Sequence, residues 1–454
     1  MASNAETLLA RADRLARRGA REDAKAVYLE ILKRAPDHFA ALNNLGALLH
    51  DMGYRSAART AYARAVACHP GNPTGHVNFA NALRGDGDLG AAREHVETAL
   101  RLSPGHAGAH QAMANILFDL GERDAAARHR DIGYRDHDAM HIPYRGKGRP
   151  LSLLMLVSAV GGNVPIRQLI DDTRFETTVI YADYWRKALP RHDLVLNAIG
   201  DADLVAPAME AAARLLAKTK APVLNPPQAT LRTGRCENAT RLAHLPGVRA
   251  ARTVHLPRAQ IGEHGLAYPL LLRSPGFHTG RHFERVDAPE QLAAVAAKLP
   301  GDELMAMEYL DARGASGRPC KYRVMFVHGE MLPLHMCISN DWKVHYFTSA
   351  MADNAAYRDE ERAFLDNMPA ALGAKAITAL GAIRDALALD YGGIDFALNA
   401  DGEVLLFEAN ATMVIVPPGP DPRWDYRRGA IARVENAVRA MLASRATATR
   451  ALAA

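Results

Sequence analysis

The sequence has few cysteines and no long hydrophobic run. Its four cysteines, Cys68, Cys236, Cys320 and Cys337, include no CxxC pair. A disulfide framework and a thiolate zinc site are therefore not expected, and a reducing compartment fits the composition. The longest apolar run, Leu151 to Val160, is half the length of a transmembrane helix, and the N-terminus lacks the apolar core of a signal peptide. The sequence thus predicts a cytoplasmic protein without a membrane partner.

The excess of one sign of charge over the other is also small. The 55 Lys and Arg residues nearly balance the 50 Asp and Glu residues, which leaves a net charge of +5. Because no long basic run and no basic stripe with interleaved aromatic residues is present, a nucleic acid partner is not expected. Hydrophobic residues make up 49% and charged residues 23%, as in ordinary globular chains. At roughly 100 to 200 residues per domain, the chain is long enough for two to four domains.

A 34-residue period runs through the first third of the chain. Prolines recur at Pro36, Pro70 and Pro104. Glycine and alanine keep the same period, at Gly19, Gly53, Gly87 and Gly121 and at Ala24, Ala58, Ala92 and Ala126. Alanine lets two helices approach closely, glycine ends a helix, and proline is tolerated after one. The pattern resembles the tetratricopeptide repeat, in which paired helices stack into a superhelix. This resemblance implies an all-α array over residues 4–137 that binds a peptide or protein partner or a second copy of the chain.

The remainder of the chain alternates strands and helices. Residues 138–150 contain Pro, Gly and charged residues and are predicted to form a linker. Short apolar runs separated by helical stretches predict a small α/β domain over residues 151–245. From residue 246 onwards, longer alternating strands and intervening helices predict an α+β domain that ends in an amphipathic helix at 425–444. The fold class is therefore multidomain.

Two strands of the second half carry a group of oxygen ligands. Asp395 lies within the apolar run Ile394 to Leu398, and an Asp-Gly turn predicts a hairpin to the next strand. Glu408 and Asn410 share one face of that strand by alternation, and Asp395 can face them from its neighbour. Two carboxylates and an amide suit magnesium. A solvent-facing hairpin is the alternative, but it explains poorly why acidic groups interrupt apolar runs.

An Asp on one strand and Glu-x-Asn on the next resemble the closing motif of the ATP-grasp superfamily, which includes D-alanine:D-alanine ligase, glutathione synthetase and RimK-type ligases. Residues 151–440 also follow the order of that family. The resemblance implies an α/β pre-ATP-grasp domain at 151–245 and an α+β ATP-grasp domain at 246–444. The small lobe would cover about 246–306 and the metal-bearing lobe about 307–444.

The resemblance also assigns residues to ATP and magnesium. Asp395, Glu408 and Asn410 would hold two Mg²⁺ ions. The glycine-bearing loop at 270–280, with Gly276 and Gly280, would place backbone N–H groups near phosphate oxygens, and Arg273 would neutralise them. Family members usually carry Lys at the position of Arg273. Arg235 stands where the first phosphate-binding Lys of similar enzymes falls, with Arg241 as a competing candidate.

Further assignments concern the hinge and the next strand. Glu308, Tyr309 and Leu310 look like the hinge that holds adenine in the family, and Asp311 would meet the ribose. Lys321 and Arg323 share one strand face, and similar ligases use an Arg near Arg323 to hold phosphate or the acyl phosphate. Arg273 and Arg323 are thus the predicted catalytic residues. Downstream candidates for substrate contacts are His335, Trp342, Lys343 and His345.

The leading hypothesis is an ATP-dependent carboxylate-amine ligase, an ADP-producing enzyme that forms a carbon-nitrogen bond through an acyl phosphate. Its substrates would be a small-molecule or peptide carboxylate and an amine, and its repeats would recruit a peptide, a protein substrate or a partner. One alternative is a non-catalytic nucleotide-binding adaptor that acts through its repeats. Another is an ATP-dependent kinase of the same fold.

Overall fold

The computed structural model describes residues 2–277, 280–344, 349–419 and 421–453. The chain divides into two compact units, Met1–His137 and Asp138–Ala454. Residues 278–279 of the predicted glycine loop and His345 lie outside the described residues.

The described part of the first unit is entirely helical. Its helices are α1 (Ala2–Arg17), α2 (Arg21–Arg34), α3 (Phe39–Asp51), α4 (Arg55–Cys68), α5 (Pro73–Gly85), α6 (Leu89–Leu102), α7 (Ala107–Asp119) and α8 (Arg123–Tyr134). The periodic glycines lie in the turns within each helix pair, each with a positive φ, for example 77° at Gly19. The periodic alanines are fully buried between helices. A further 34-residue period appears at the helix N-caps, where His38, Asn72 and His106 accept hydrogen bonds from backbone N–H groups.

Packing within the array explains the small residues of the repeat. An ideal Cβ on Gly46, within α3, would lie 2.7 Å from the ring of Tyr62 on α4. Only a glycine therefore allows these two helices their observed approach. A core of Ala, Leu, Val, Tyr and Ile side chains, among them Tyr28, Ile31 and Leu45, joins α1, α2 and α3.

The second unit is mixed α/β. Its strands are β1 (Ala139–Ile142), β2 (Leu151–Val157), β3 (Phe175–Tyr181), β4 (Leu194–Asn197), β5 (Val223–Leu224), β6 (Val248–Ala250), β7 (Thr253–Pro257), β8 (Leu270–Arg273), β9 (Phe283–Val286), β10 (Glu303–Glu308), β11 (Cys320–Val327), β12 (Glu330–Ile338), β13 (Tyr391–Leu398) and β14 (Val404–Asn410). Its helices are α9 (Ala202–Leu216), α10 (Pro227–Leu231), α11 (Arg235–Leu242), α12 (Leu292–Ala296), α13 (Ala355–Asp366), α14 (Met368–Leu387) and α15 (Tyr426–Ala453). Short 3₁₀ helices cover Arg167–Leu169, Arg258–Glu263, Pro289–Gln291 and Pro422–Trp424.

The first sheet has the order β1-β3-β2-β4-β5. Strands β2 to β5 are parallel, and β1 adds to the edge of β3 in antiparallel fashion. The segment predicted to be a linker therefore contains a strand at Ala139–Ile142. The error has a simple origin, since this strand is short and its exposure alternates, so that it has no apolar run.

The second and third sheets form the rest of the unit. The second, β7-β10-β8-β9, is antiparallel and has its own core around Leu270, Leu272 and Leu304. The third has the order β12-β11-β13-β14-β6. Its edge strand β6 runs parallel to β14, so residues 248–250 pair with this sheet and not with the strands that follow them.

Candidate functional site

The third sheet places a row of polar side chains across its strands. Arg323 on β11 pairs with Asp395 on β13, and Asp395 pairs with Glu408 on β14. The register shifts directly after Arg323 in the β11–β12 pairing and directly after Asp395 in the β13–β14 pairing, and such bulges redirect side chains. On β13, Gly393 precedes this row, and an ideal Cβ there would lie 2.8 Å from a β11 carbonyl oxygen. Glycine is thus required for the close approach of these strands.

Asp395 is almost fully buried and accepts three hydrogen bonds from two cations. Arg323 donates from Nε to Oδ1 at 2.6 Å and from Nη2 to Oδ2 at 2.8 Å, and Lys321 donates from Nζ to Oδ2 at 2.9 Å. Burial opposes ionisation, but the charges of Arg323 and Lys321 outweigh it and hold the pKa of Asp395 well below its ordinary value. The carboxylate is therefore ionised at neutral pH.

Glu408 and Asn410 are joined to each other. Asn410 donates from Nδ2 to Glu408 Oε1 at 2.8 Å, while its Oδ1 accepts from the backbone N–H and the hydroxyl of Thr412 at 2.9 and 3.0 Å. Glu408 Oε1 also accepts a hydrogen bond from Arg235. Across the part of the chain that the structure describes, no three His, Cys, Asp or Glu side chains are grouped so that they could hold a metal ion.

Arg235 begins α11 and lies between two carboxylates. Its guanidinium donates to Glu408 and, from Nη1, to Asp203 at 2.9 Å. Burial alone would lower the pKa of Arg235, but the charges of Glu408 and Asp203 raise it above its ordinary value. Asp203, on α9, was not among the predicted residues. It lies 32 residues before Arg235 in the sequence, and no local motif links the two.

Arg273 ends β8 beside the glycine-bearing loop. It donates to the carbonyl oxygen of Phe277, and its buried Nε–H has no hydrogen-bond partner among the described residues. Burial and the neighbouring positive charge of Arg235 lower the pKa of Arg273 to about 10. Gly276 and Gly280 in the loop have positive φ values of 78° and 72°. Arg273 is thus a buried cation with an unused donor.

The predicted hinge residues follow the end of β10. Glu308 accepts from the guanidinium of Arg249 at 2.8 Å and from the backbone N–H of Arg252 at 3.3 Å. Leu310 is buried, and the ring of Tyr309 packs against Trp342. Asp311, the predicted ribose contact, forms an ion pair with its exposed neighbour Arg313.

A narrow cleft connects the hinge strand with the polar row. Its lining combines apolar side chains from two sheets with the polar ends of β14 and α11. The lining includes Ala251, Thr253, Met307, Leu406, Arg235, Glu408 and Asn410. The centre of a water-sized sphere can occupy about 20 Å³ of the cleft, which is room for about one water molecule. A ligand larger than water would therefore need the second and third sheets to move apart.

Other predicted residues have structural partners. Arg241 donates to the backbone carbonyl oxygens of Ala386 and Arg232 and to Asn238, so it links α11 to its surroundings. Lys343 donates to the carbonyl oxygen of Phe283 at 2.7 Å.

His335 lies on β12 directly opposite Arg323. It is buried, with Nδ1 3.6 Å from Cys337 Sγ. Burial, followed by the charge of Arg323, lowers the pKa of His335 well below its ordinary value. The imidazole is neutral in this environment.

Comparison with known proteins supports the repeat region. Residues 83–129 match the family model for the tetratricopeptide repeat. The repeat array predicted from the 34-residue period is thereby confirmed, and tetratricopeptide repeats commonly mediate binding of protein partners. No curated protein matches the chain. Within the described residues, no helix has the length and apolar character needed to cross a membrane.

Solved structures similar to part of the chain include a MamA protein, a tetratricopeptide repeat protein and an O-GlcNAc transferase. MamA from Desulfovibrio magneticus RS-1 is 26% identical, with a TM-score of 0.26, over 28% of this chain and 71% of that chain. A tetratricopeptide repeat protein from Thermus thermophilus is 23% identical, with a TM-score of 0.27, over 29% of this chain and 73% of that chain. A mutant O-GlcNAc transferase from Thermobaculum terrenum is 21% identical, with a TM-score of 0.31, over 49% of this chain and 41% of that chain.

Proposed function

We propose that the second unit is an ATP-dependent carboxylate-amine ligase of the ATP-grasp type. The observation that carries the proposal is the pairing of Asp395 with Glu408 on adjacent strands, within a group of basic side chains. Those basic side chains are Arg235, Arg273, Lys321 and Arg323. A hairpin with only a structural role is not expected to bury so many charges, because desolvation of each charge costs several kcal/mol.

The donor set is suited to magnesium. A carboxylate offers about four lone-pair sites, and Asp395 uses three of them for Lys321 and Arg323. One acceptor site of Asp395 remains for a cation. Glu408 supplies a second carboxylate, and Asn410 Oδ1 would exchange one of its two hydrogen bonds from Thr412 for the cation. Hard oxygen ligands of this kind are those that Mg²⁺ prefers. Magnesium held by these three residues would neutralise phosphate charge.

Three arginines, Arg235, Arg273 and Arg323, could bind the phosphate groups of ATP. Arg273 has a buried Nε–H without a partner in the part of the chain that the structure describes, and its positive charge is opposed by burial and by Arg235. A phosphate oxygen would accept from that N–H and relieve both costs. Arg235 and Arg323 each have a guanidinium bound to carboxylates of the predicted metal site. These guanidinium groups would bind phosphate once the carboxylates take a cation.

The chemistry requires no nucleophilic side chain. A substrate carboxylate oxygen attacks the γ-phosphorus of ATP, and ADP leaves. An amine then attacks the acyl carbon, phosphate leaves and the amine gives up a proton. In this scheme, Arg273 and Arg323 hold the transferring phosphoryl group, and the residues of the cleft around Met307 exclude water.

The repeats define the second part of the proposal. Their match to the tetratricopeptide repeat supports a protein-interaction role. We propose that this interaction recruits the carboxylate or amine substrate as a peptide or protein.

The test is ADP release from Mg²⁺ and ATP with mixed pools of peptides and amino acids. We expect the wild-type protein to release ADP and to form an amide that mass spectrometry detects. Asp395→Asn removes a charge from the row and should lower the rate by at least about 100-fold. Asp401→Asn is the matched control, because Asp401 is exposed in the turn of the same hairpin. Equal rates for wild type and Asp395→Asn would refute the ligase.

One observation favours the adaptor as a second candidate. Asp395 is neutralised by Lys321 and Arg323, and Glu408 is bound by Arg235, so the site is balanced by the chain itself. Binding of MgATP without turnover in any substrate pool would select the adaptor. A stable phosphorylated product without an amide would select the kinase.

A further inference from the structure

One carboxylate outside the predicted site binds Arg235 in two places. Asp203, in the first turn of α9, accepts from Arg235 Nη1 at 2.9 Å. It also accepts from the backbone N–H of Arg235, which lies 3.1 Å from Oδ1 and 3.2 Å from Oδ2. The residue before Arg235 is Gly234, where an ideal Cβ would lie 3.0 Å from Asp203 Oδ1. A larger residue at position 234 would therefore make a tight contact with this carboxylate.

The two carboxylates on Arg235 have different surroundings. Glu408 belongs to the predicted magnesium set, whereas Asp203 belongs to α9 of the first sheet's domain. The Arg235 side chain is only 8% exposed, so it cannot exchange its carboxylate partners for water. If Glu408 turns to a metal ion, the ion pair with Asp203 remains.

We propose that Asp203 is the positioning residue that keeps the Arg235 guanidinium directed at the nucleotide phosphates when Glu408 binds the metal; this inference rests on the proposed function. Asp203 fixes the guanidinium through the side chain and the start of α11 through the backbone. It also supplies negative charge beside two buried arginines, since the charges of Glu408, Asp201 and Asp203 offset the repulsion of Arg273 by Arg235.

The experiment measures the dissociation constant of MgATP by calorimetry with the full-length protein. Asp203→Asn keeps the shape of the side chain and removes its charge. We expect it to weaken MgATP binding about tenfold, as loss of a charged hydrogen bond does. The matched control is Glu210→Gln on the same helix, because Glu210 is exposed and lies 4.0 Å from its partner Arg214. This control should bind MgATP as the wild type does.

A second background separates positioning from folding. In Arg235→Ala, Asp203 has no guanidinium to position and keeps only its backbone hydrogen bond and its charge, so adding Asp203→Asn should weaken MgATP binding much less than it does in the wild type. Circular dichroism at the assay temperature checks that each variant is folded. The inference is overturned if Asp203→Asn binds MgATP as tightly as wild type, or if it weakens binding equally with and without Arg235. Absence of MgATP binding by the wild type would instead overturn the proposed function, and this inference with it.

Discussion

Buried charge is the main residue-scale feature of the candidate site. Asp395 and Arg235 each have an opposite charge within hydrogen-bond distance, whereas the partly buried Arg273 has none among the described residues. Arg273 has a carbonyl oxygen and an aromatic ring as neighbours. A buried cation without a carboxylate partner costs stability in the free protein and strengthens binding of an anion.

Arg273→Met should therefore separate stability from binding. We expect the variant to be more stable than wild type by about 1 kcal/mol without nucleotide, because an apolar side chain replaces a charge that burial disfavours. Stabilisation of the protein by MgATP should be lost. Thermal unfolding with and without MgATP measures both quantities.

Arg384→Met is the control for that comparison. Arg384, near the C-terminal end of α14, is about one-third exposed and binds Asp385 and the backbone carbonyl oxygen of Gly329. Its replacement should leave stabilisation by MgATP unchanged. A less stable Arg273→Met that keeps its MgATP response would show that Arg273 is a structural residue.

Two neighbouring helix pairs of the array each carry a pair of histidines in contact. In α5 and α6, His76 Nε2 lies 2.9 Å from the carbonyl oxygen of Pro70, so it carries the proton and leaves Nδ1 to accept from His95 Nδ1 at 3.0 Å. His110 and His129 repeat the arrangement in α7 and α8, with the two Nδ1 atoms 2.9 Å apart. The pairs are separated by the 34-residue period.

These pairs predict a pH dependence of the stability of the array. Burial, followed by the charge of the paired histidine, lowers the pKa of His95 and of His129 below 6.5. Glu94 raises the pKa of His95, whereas Arg128 lowers that of His129. Since the unfolded chain binds more protons near pH 6, stability should fall as the pH falls below 6.5.

The measurement is the unfolding temperature at pH 7.5 and about pH 5.5. The double variant His95→Gln and His129→Gln should lose less stability on acidification than wild type. His50→Gln removes a histidine with a 59% exposed side chain and should behave as wild type. If the double variant and wild type lose equal stability, the histidine pairs do not cause the pH dependence.

The strand pairing at the candidate site could be predicted from the sequence, but most of the side-chain contacts there could not. Alternation along β13 and β14 predicts that Asp395 faces Glu408, and the register pairs them because a hairpin fixes strand order locally. Lys321 and Arg323 share a face by the same rule, but alternation says nothing of partners, and both bind Asp395. The role of Asp203 could not be predicted from strand alternation, since its contact with Arg235 depends on how α9 packs beside α11.

The whole molecule contains two folding units of different kinds. Each repeat of the first unit packs on its neighbours. In the second unit, one core joins the first sheet to the third, with Phe175 and Leu194 in the same cluster as Phe326 and Phe396. The domain boundary predicted at residue 245 therefore does not separate two independent cores. Residues 138–454 are expected to fold as one body.

Removal of the array should accordingly leave nucleotide binding intact. We expect residues 138–454 to bind MgATP within about twofold of the full chain, because every residue assigned to the nucleotide belongs to this unit. Peptide or protein substrates should need higher concentrations once the repeats are absent. Calorimetry with MgATP and ADP release against substrate concentration measure the two effects.

A second truncation tests where the unit begins. A chain that starts at residue 151 lacks β1, which pairs with β3, and lacks Asp138, whose carboxylate binds Lys187 at 3.0 Å. It leaves the edge of β3 unpaired, so we expect lower stability and more aggregation than for residues 138–454. Equal stability of the two fragments would show that β1 is dispensable. Loss of MgATP binding by residues 138–454 in a folded state would show that the array contributes to the nucleotide site, because the two cores alone give no reason for such a loss.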